Sequence, residues 1–335
     1  MNHIAIISPF GLSKGIVESQ IAGVQELFAR QYGKCDIWCD PDGQFVPGSL
    51  VYKNIWHFEL SGYDALYTRS CLDFFRLFLR TRFISKKPLL IYDFRGLVFE
   101  ESKLRHGPGL RSCLIKLLER FAYENADIVH CVSNRFKRYL QQNWGDRAMI
   151  KVYPCCVHEA VLKTSVPKRP WRFVYAGGVA AWQNLDQILD YHRRLVTVLP
   201  DTELRIYTSD RAAMLGMVER HGIRASVETV PHDQIAGRMA ECDFGYLFRD
   251  DIVLNQVASP VKFLEYVSNG VIPVITEGVG DYSEDIKKFD LGVLASPDGS
   301  HLEEDLSRMQ ELLRVETYDR LFRYSSGFLW RYQKI

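Results

Sequence analysis

The chain has 335 residues, which exceeds the usual size of one domain and predicts two compact α/β units of about 150 residues each. Its 47% hydrophobic and 25% charged residues are typical of a globular protein and exclude a disordered or fibrous class. The formal net charge of +1 argues against nucleic acid as a partner.

The charge is unevenly distributed, because residues 1–160 contain 21 Lys and Arg against 16 Asp and Glu. A basic first half fits an anionic partner, such as a membrane surface or a lipid-phosphate substrate, and an ordinary solvated surface is the alternative. No apolar run reaches the roughly 18–20 residues that span a bilayer, and residues 1–7 lead into a strand pattern rather than a signal peptide. We therefore expect a cytoplasmic protein, with peripheral contact at the inner face of the membrane left open.

The first half alternates apolar β-type runs with helical patterns, which is typical of a parallel sheet covered by helices. Apolar residues at three- and four-residue spacing predict helices at 15–32 and 111–125. Strands are predicted at 4–8, 35–39, 65–68, 89–93 and 128–132. This pattern predicts an N-terminal Rossmann-like domain over residues 1–157.

Pro154, Pro167 and Pro170 interrupt the periodicity and predict an interdomain linker. A second alternation then predicts a C-terminal Rossmann-like domain over residues 168–317, and two such domains imply a cleft between them. Its predicted strands are 172–176, 203–207, 226–229, 244–247 and 271–275, with helices at 184–198, 211–220, 233–240, 260–268 and 302–314. The aromatic tail, residues 318–335, is expected to cross back onto the N-terminal domain.

Ser259 and Pro260 predict a helix start, because a Ser oxygen can cap free backbone N–H groups and Pro is tolerated at the first helical position. A helix N-terminus that follows a strand offers N–H donors and a positive dipole end to a phosphate. Lys262 lies in the first turn, and Glu265 shares its face three residues later. The pair suits a nucleoside diphosphate, with the cation for phosphate and the carboxylate for the ribose diol. An ordinary surface ion pair is the alternative.

The residues after this helix favour the ligand-binding interpretation. The apolar strand 271–275 is followed by a turn that contains Gly278, Gly280 and Asp281. Glycines at the C-terminal end of a strand let backbone amides approach a ligand, and open α/β sheets bind ligands at that edge.

Four segments resemble the retaining glycosyltransferases of family 4 (GT4), which have the GT-B fold. Residues 259–266, 269–275 and 278–281 look like the donor-binding region of that family. Residues 175–178, followed by Trp182 and Gln183, are similar to the Gly-rich turn that opens its C-terminal domain. Residues 8–11 with Gly15 resemble its N-terminal glycine loop, and residues 93–96 resemble an Asp-x-Arg-Gly segment on the acceptor side of some members.

The resemblance implies an α/β protein of the GT-B fold, with two Rossmann-like domains facing across a cleft and a C-terminal helix crossing back to the N-terminal domain. It also implies transfer of a sugar from a nucleoside-diphosphate sugar, UDP- or GDP-linked, to a hydroxyl of a glycan or lipid-linked acceptor. The anomeric configuration would be retained. The expected setting is the synthesis of a cell-surface polysaccharide or glycoconjugate.

The same resemblance implies roles for individual residues. Lys262 contacts the donor phosphate and supports catalysis, and Glu265 binds the ribose. Gly177 and Gly178 border the diphosphate, which Gly15 faces from the other domain. The predicted donor site is completed by Ser259, Gly280 and Asp281.

Two departures from the family pattern leave the donor sugar and the activity open. Many members have a first glutamate eight residues before the second, where this chain has Val257. The Arg and Lys that commonly follow the first glycine turn are also absent, and Arg249 is either a replacement cation or a solvent-facing loop residue. The alternatives are therefore a GT-B nucleotide-sugar epimerase and a non-catalytic nucleotide-sugar-binding scaffold.

The acceptor side is predicted from Asp93 and Arg95, two catalytic candidates at the end of a strand. Arg95 either binds a phosphate or anchors its loop through Glu100. His130 could reach the same place, although a histidine hydrogen-bonded to backbone is the favoured interpretation.

We expect no cofactor and no metal. Residues 40–42 fit the Asp-x-Asp pattern of metal-dependent transferases, but their Pro- and Gly-rich surroundings favour a turn. The eight cysteines lack paired metal-type spacing, which predicts reduced thiols. Residues 69–87 alternate Phe and Leu with basic residues, which fits either a membrane interface or a helix with one buried face.

Overall fold

The computed structural model describes residues 2–8, 16–39, 50–51, 55–56, 58–146, 149–167 and 169–333. The chain forms two compact units. The first comprises Met1–Cys156 with Trp330–Ile335, and the second comprises Val157–Leu329. Among the described residues, no helix is both long enough and apolar enough to cross a bilayer.

The first unit is a parallel sheet with strand order β3-β2-β1-β4-β5-β6-β7. Its strands are β1 (His3–Ser8), β2 (Lys34–Cys39), β3 (Leu50–Val51), β4 (Ala65–Thr68), β5 (Leu89–Phe94), β6 (Ile128–Cys131) and β7 (Ile150–Val152). Its helices are α1 (Ile16–Tyr32), α2 (Cys71–Thr81), α3 (Val98–His106), α4 (Leu110–Asn125) and α5 (Asn134–Trp144). The strand order reverses between β1 and β4, and doubly wound sheets bind ligands beyond the strand ends at such a point.

Local sequence signals account for several of these elements. Ile4, Ile6 and Ile7 of β1 are all buried, as expected for a parallel strand with helices on both faces. Ser70 caps α2 by accepting a 3.2 Å hydrogen bond from the Asp73 N–H, and Ser133 caps α5 in the same way.

The second unit is a parallel sheet with strand order β10-β9-β8-β11-β12-β13. Its strands are β8 (Trp171–Ala176), β9 (Thr202–Tyr207), β10 (Ser226–Glu228), β11 (Phe244–Leu247), β12 (Ile272–Ile275) and β13 (Val293–Leu294). Its helices are α6 (Leu185–Val198), α7 (Arg211–Arg220), α8 (His232–Ala240), α9 (Val253–Gln256), α10 (Val261–Ser268), α11 (Gly280–Phe289), α12 (Leu302–Leu312) and α13 (Val315–Ser326). The predicted α/β class with two Rossmann-like units is therefore confirmed.

The tail differs from the prediction that residues 318–335 lie on the first unit. Helix α13 belongs to the second unit, where it packs on α10 through buried Tyr318 and Leu321 and through an edge-to-face contact of Tyr324 with Phe263. Only the segment from Trp330 joins the first unit. A strong apolar stripe on α13 explains the difference, because that stripe is buried before the chain reaches Trp330.

Trp330 fixes the chain end to α1 of the first unit. Its ring is 2% exposed and lies against Gly23, where an added Cβ would be 2.2 Å from the ring. Arg30 donates a 3.0 Å hydrogen bond to the Trp330 carbonyl. A glycine at position 23 is therefore what allows the indole to lie flat on the helix.

Candidate functional site

Helix α10 carries Lys262 and Glu265 of the predicted donor site and begins one residue later than predicted. Its first helical residue is Val261. The preceding Pro260 has extended backbone and is the N-cap residue, which was the position predicted for Ser259. The Ser259 hydroxyl instead lies 2.8 Å from the Tyr282 hydroxyl on α11. This contact ties the start of α10 to the neighbouring helix.

Lys262 is a buried cation among neutral groups. Its side-chain nitrogen donates a 3.1 Å hydrogen bond to Gln183 and lies 3.9 Å from the centroid of the Tyr175 ring. Within the described residues, no carboxylate forms an ion pair with it. Burial, assisted by the positive charge of Arg249, holds the pKa of Lys262 well below its usual range. A buried ammonium without a counter-ion is costly, and an anionic ligand would supply the missing charge.

Arg249 is the second cation of this site. It follows β11 and is half-buried, its guanidinium donates to the Trp182 carbonyl, and its backbone N–H donates a 2.8 Å hydrogen bond to Thr276. Burial lowers the pKa of Arg249 to about 10. No acidic side chain of the described segments pairs with it. Arg249 is therefore a half-buried cation close enough to Lys262 to lower its pKa, rather than a solvent-facing loop residue.

Gly177 makes room for Lys262. It follows β8 with a φ of +148°, and an added Cβ would lie 2.7 Å from the Lys262 ammonium nitrogen. The next residue, Gly178, accepts a 2.7 Å hydrogen bond from Tyr175, the same ring that lies against the ammonium. The predicted glycine turn and the predicted lysine are thus brought together.

Glu265 lies one turn after Lys262 and is half-buried. The two side chains form no ion pair, so the surface-pair alternative does not describe them. Burial raises the pKa of the Glu265 carboxyl, and the charges of Lys262 and His232 oppose that rise. Its carboxylate accepts no hydrogen bond from any described residue and is therefore available to ligand hydroxyl groups.

Gly278 and Gly280 have a packing role. An added Cβ at Gly278 would lie 2.5 Å from the Asp250 carbonyl oxygen, and one at Gly280 would lie 2.5 Å from the Ala258 carbonyl oxygen. These glycines let the turn after β12 pack backbone to backbone against the segments that carry Arg249 and Ser259. Asp281 is half-buried in the first turn of α11.

Val257 is 2% exposed at the C-terminal end of α9. An apolar, buried side chain thus occupies the position at which many of the resembled enzymes have a carboxylate. The donor-side residues that are brought together are Gly177, Lys262 and Arg249, with Glu265 one helical turn away. Gly15 and the Asp40-Pro41-Asp42 motif lie outside the described residues.

Asp93 and Arg95 form a buried network in the first unit, at the end of β5. The Asp93 carboxylate accepts from Arg95 at 2.5 Å, from Arg69 at 3.0 Å, and from the Tyr67 hydroxyl. Burial alone would raise the pKa of Asp93, but Arg95 and Arg69 hold it at about 2. Arg95 is therefore anchored by Asp93 and not by Glu100, which pairs with a lysine of its own helix.

His130 and Arg69 complete this network. His130 is 2% exposed beside Asp93 on the neighbouring strand, and burial lowers its pKa to about 4. The favoured interpretation of a backbone-bonded histidine does not hold for its Nε2 atom, which has no hydrogen-bond partner in the structure. Arg69 was missed at the sequence level, although it directly follows a predicted strand, as Arg95 nearly does.

No group of three His, Cys, Asp or Glu side chains among the described residues could hold a metal ion. All eight cysteines are free, with Cys71 half-buried, Cys113 exposed and the other six buried.

No protein-family model and no curated protein sequence matches the chain. Solved structures of glycosyltransferases are similar over almost its whole length. Sucrose-phosphate synthase from Thermosynechococcus elongatus has a TM-score of 0.70 at 14% identity, covering 99% of this chain and 96% of that one. WaaG, a glycosyltransferase involved in lipopolysaccharide biosynthesis, has a TM-score of 0.71 at 12% identity, covering 96% and 95%.

A third similar structure is an α-glucosyltransferase in complex with UDP-glucose and DNA containing an abasic site. Its TM-score is 0.64 at 16% identity, covering 99% of this chain and 96% of that chain. At these identities the comparisons show the fold, which is the GT-B fold with two Rossmann-like units in one chain.

Proposed function

We propose that the chain is a GT-B glycosyltransferase that uses a nucleoside-diphosphate sugar as donor. The observation that carries the proposal is the pair of cations formed by buried Lys262 and half-buried Arg249, which no described carboxylate neutralises. They lie beyond the C-terminal ends of a parallel sheet, where open α/β sheets bind ligands. Two of the similar structures, WaaG and the α-glucosyltransferase, are glycosyltransferases by name, and the α-glucosyltransferase is in complex with UDP-glucose.

We further propose that the donor lies along α10. Lys262 contacts the diphosphate beside Gly177, and the free carboxylate of Glu265 accepts from the ribose hydroxyls. As the glycosidic bond breaks, negative charge develops on the leaving nucleoside diphosphate. Cations and backbone dipoles that are already in place stabilise this charge without reorganisation. The resemblance to GT4 enzymes supports a retaining reaction, in which the departing phosphate assists the incoming hydroxyl.

The acceptor is proposed to be a glycan or a lipid-linked glycan bound by the first unit. A carboxylate with a pKa of about 2 is a weak general base, so Asp93 is better suited to positioning Arg95 and Arg69 than to removing a proton. Arg95, held by Asp93, then remains a candidate for contact with an anionic group of the acceptor.

We also propose that transfer requires no divalent metal, because two protein cations already supply positive charge for the diphosphate. Activity is expected to survive exhaustive chelation with EDTA and to show no stimulation by Mg²⁺ or Mn²⁺. A chelated enzyme that recovers activity only on addition of a divalent ion would contradict this part of the proposal.

The principal experiment combines binding and turnover. Titration calorimetry with UDP, GDP and their sugar conjugates is expected to detect binding by the wild type, weaker binding by Glu265→Ala, and weaker binding with lower turnover for Lys262→Ala. Lys287→Ala is the matched control, since Lys287 is an exposed lysine of the same unit that pairs with Glu277. Unchanged nucleotide affinity in both site variants would overturn the assignment.

Turnover separates the alternatives. Release of free nucleoside diphosphate that depends on an acceptor identifies a transferase. Interconversion of nucleotide sugars without an acceptor identifies an epimerase, and nucleotide binding without turnover identifies a scaffold. All three outcomes must be distinguished, because buried Val257 occupies the position at which many GT4 enzymes have a glutamate.

A further inference from the structure

The end of α3 and the outer face of α4 expose a group of leucines. Leu110 is 86% exposed, Leu114 56% and Leu117 65%, and Leu104 on α3 is 54% exposed. The three α4 leucines follow one another at spacings of four and three residues, which places them on one side of the helix. A contiguous exposed leucine row of this kind marks a contact surface.

The same segment is basic. Residues 103–118 contain Lys103, Arg105, Arg111 and Lys116, together with His106, and no Asp or Glu. Lys103 and Arg105 are paired with the α3 glutamates at positions 100 and 101. Arg111 and Lys116 form no ion pair with any described residue, so their charges flank the leucines unneutralised.

The exposed leucines lie outside residues 69–87, the stretch whose sequence pattern fitted a membrane interface. Most of that stretch is α2, whose Phe74 and Leu77 are fully buried. Phe75 and Phe78 of α2 both pack edge to face on Phe121 of α4. Helix α2 therefore contributes to the core of the first unit, and it supports the inner side of the helix whose outer side carries the leucine row.

We propose that this leucine row with its flanking cations is a docking face for an anionic lipid surface, with α4 lying in the plane of the interface. Leucines enter the headgroup boundary while Arg111 and Lys116 contact lipid phosphates. Charge selects this occupant, because Arg111 and Lys116 have no ion pair among the described residues and lipid phosphates carry the complementary charge. The inference rests on exposure and charge, and it stands apart from the proposed donor chemistry.

The test is co-sedimentation of the full chain with phosphatidylcholine vesicles, with and without phosphatidylglycerol. The wild type is expected to bind the anionic vesicles, less strongly at high salt, and to bind the neutral ones weakly. The triple variant Leu110→Ser, Leu114→Ser, Leu117→Ser should lose binding. The variant Arg111→Gln, Lys116→Gln should lose affinity for anionic vesicles by roughly tenfold or more.

Leu215→Ser is the matched control, because Leu215 is an exposed leucine on α7 of the second unit, 39% exposed. Circular dichroism and urea unfolding establish that each variant is folded. The proposal is overturned if the wild type does not bind anionic vesicles, or if the leucine variant binds them as the wild type does. It is also overturned if sedimentation equilibrium shows a dimer that only the leucine variant dissociates, since the face then belongs to a second copy.

Discussion

Lys262 and Glu265 could be placed on one helix face from local sequence signals, and the resemblance to GT4 enzymes placed Gly177 at the same diphosphate site. A Pro before a helix, a glycine pair after a strand and an i,i+3 spacing are all visible in a few consecutive residues. Arg249 and Arg69 lacked such a signal, since each is a single arginine after a strand. Arg249 belongs to a site because no described carboxylate pairs with it, and Arg69 because it shares the Asp93 carboxylate with Arg95. Both properties depend on how the chain packs, which a short stretch of sequence does not show.

The dependence of Lys262 on Gly177 gives a prediction at the residue scale. Gly177→Ala places a Cβ 2.7 Å from the ammonium, at a φ of +148° that favours glycine. We expect a loss of about 1–3 kcal/mol in the free energy of unfolding, together with weaker nucleotide binding, because the lysine must move. Urea unfolding and titration calorimetry measure the two effects.

Gly216→Ala is the matched control for that variant. Gly216 lies inside α7 on the exposed surface, and an added Cβ there meets no atom within 4 Å. Alanine in a helix interior should raise the free energy of unfolding by about 0.5–1 kcal/mol and leave nucleotide affinity unchanged. Equal behaviour of the two alanine variants would show that Gly177 makes no special room for Lys262.

At the scale of elements, Glu119 links α4 to α3. Its side chain is 0% exposed and accepts backbone hydrogen bonds from Val98 at 3.0 Å and Phe99 at 3.2 Å, in the first turn of α3. A carboxylate at a helix N-terminus is favourable, but here burial dominates and raises the pKa of Glu119 to about 7. The Glu119 side chain therefore ties α4 to the first turn of α3, and the burial that this contact requires is what raises its pKa.

This raised pKa fixes the sign of a pH effect. Between the ordinary value of 4.5 and about 7, the folded chain keeps a proton that the unfolded chain has lost, so the free energy of unfolding falls as pH rises. Glu119→Gln removes this contribution, which is on the order of 3 kcal/mol across the window. Urea unfolding at a series of pH values compares the two slopes. Glu124→Gln, on the exposed side of the same helix, should keep the wild-type slope, and an unchanged slope in Glu119→Gln would contradict the argument.

The elements themselves were largely predictable, because ten of the thirteen described strands overlap the predicted β-type runs. The strands β3, β7 and β13 were not predicted; each has only two or three residues, too few for a periodic signal, and of the equally short strands only β10 was predicted. The start of α10 shows that the exact ends of a helix are harder to predict than the helix itself. Propensity places Pro260 inside the helix, but the contact between Ser259 and Tyr282 accompanies a start one residue later.

At the scale of the whole molecule, the chain enters the second unit after Cys156 and returns to the first at Trp330. Two α/β halves could be predicted from alternation alone. The residue at which the chain returns to the first unit could not be predicted, because it depends on whether α13 buries its apolar stripe on α10 or elsewhere. Aromatic content marked the tail as docked without indicating which part of it lies on which unit.

The return segment gives a prediction for the first unit. Trp330→Ala removes an indole that is 2% exposed against α1, and we expect a loss of about 3–5 kcal/mol in the free energy of unfolding. Tyr332→Ala, two residues later and 61% exposed, should change it by less than about 0.5 kcal/mol. Denaturant unfolding followed by circular dichroism compares the variants. A wild-type midpoint for Trp330→Ala would show that the tail contributes little to the first unit.

We propose that Lys262, Arg249 and the Glu265 carboxylate of the second unit bind the nucleotide of a nucleotide sugar. A crystal structure of the chain with bound UDP or GDP tests it most directly. We expect diphosphate oxygens within hydrogen-bonding distance of the Lys262 ammonium, and ribose hydroxyls that donate to the Glu265 carboxylate. A nucleotide bound with its phosphates away from Lys262 and its ribose away from Glu265 would contradict it.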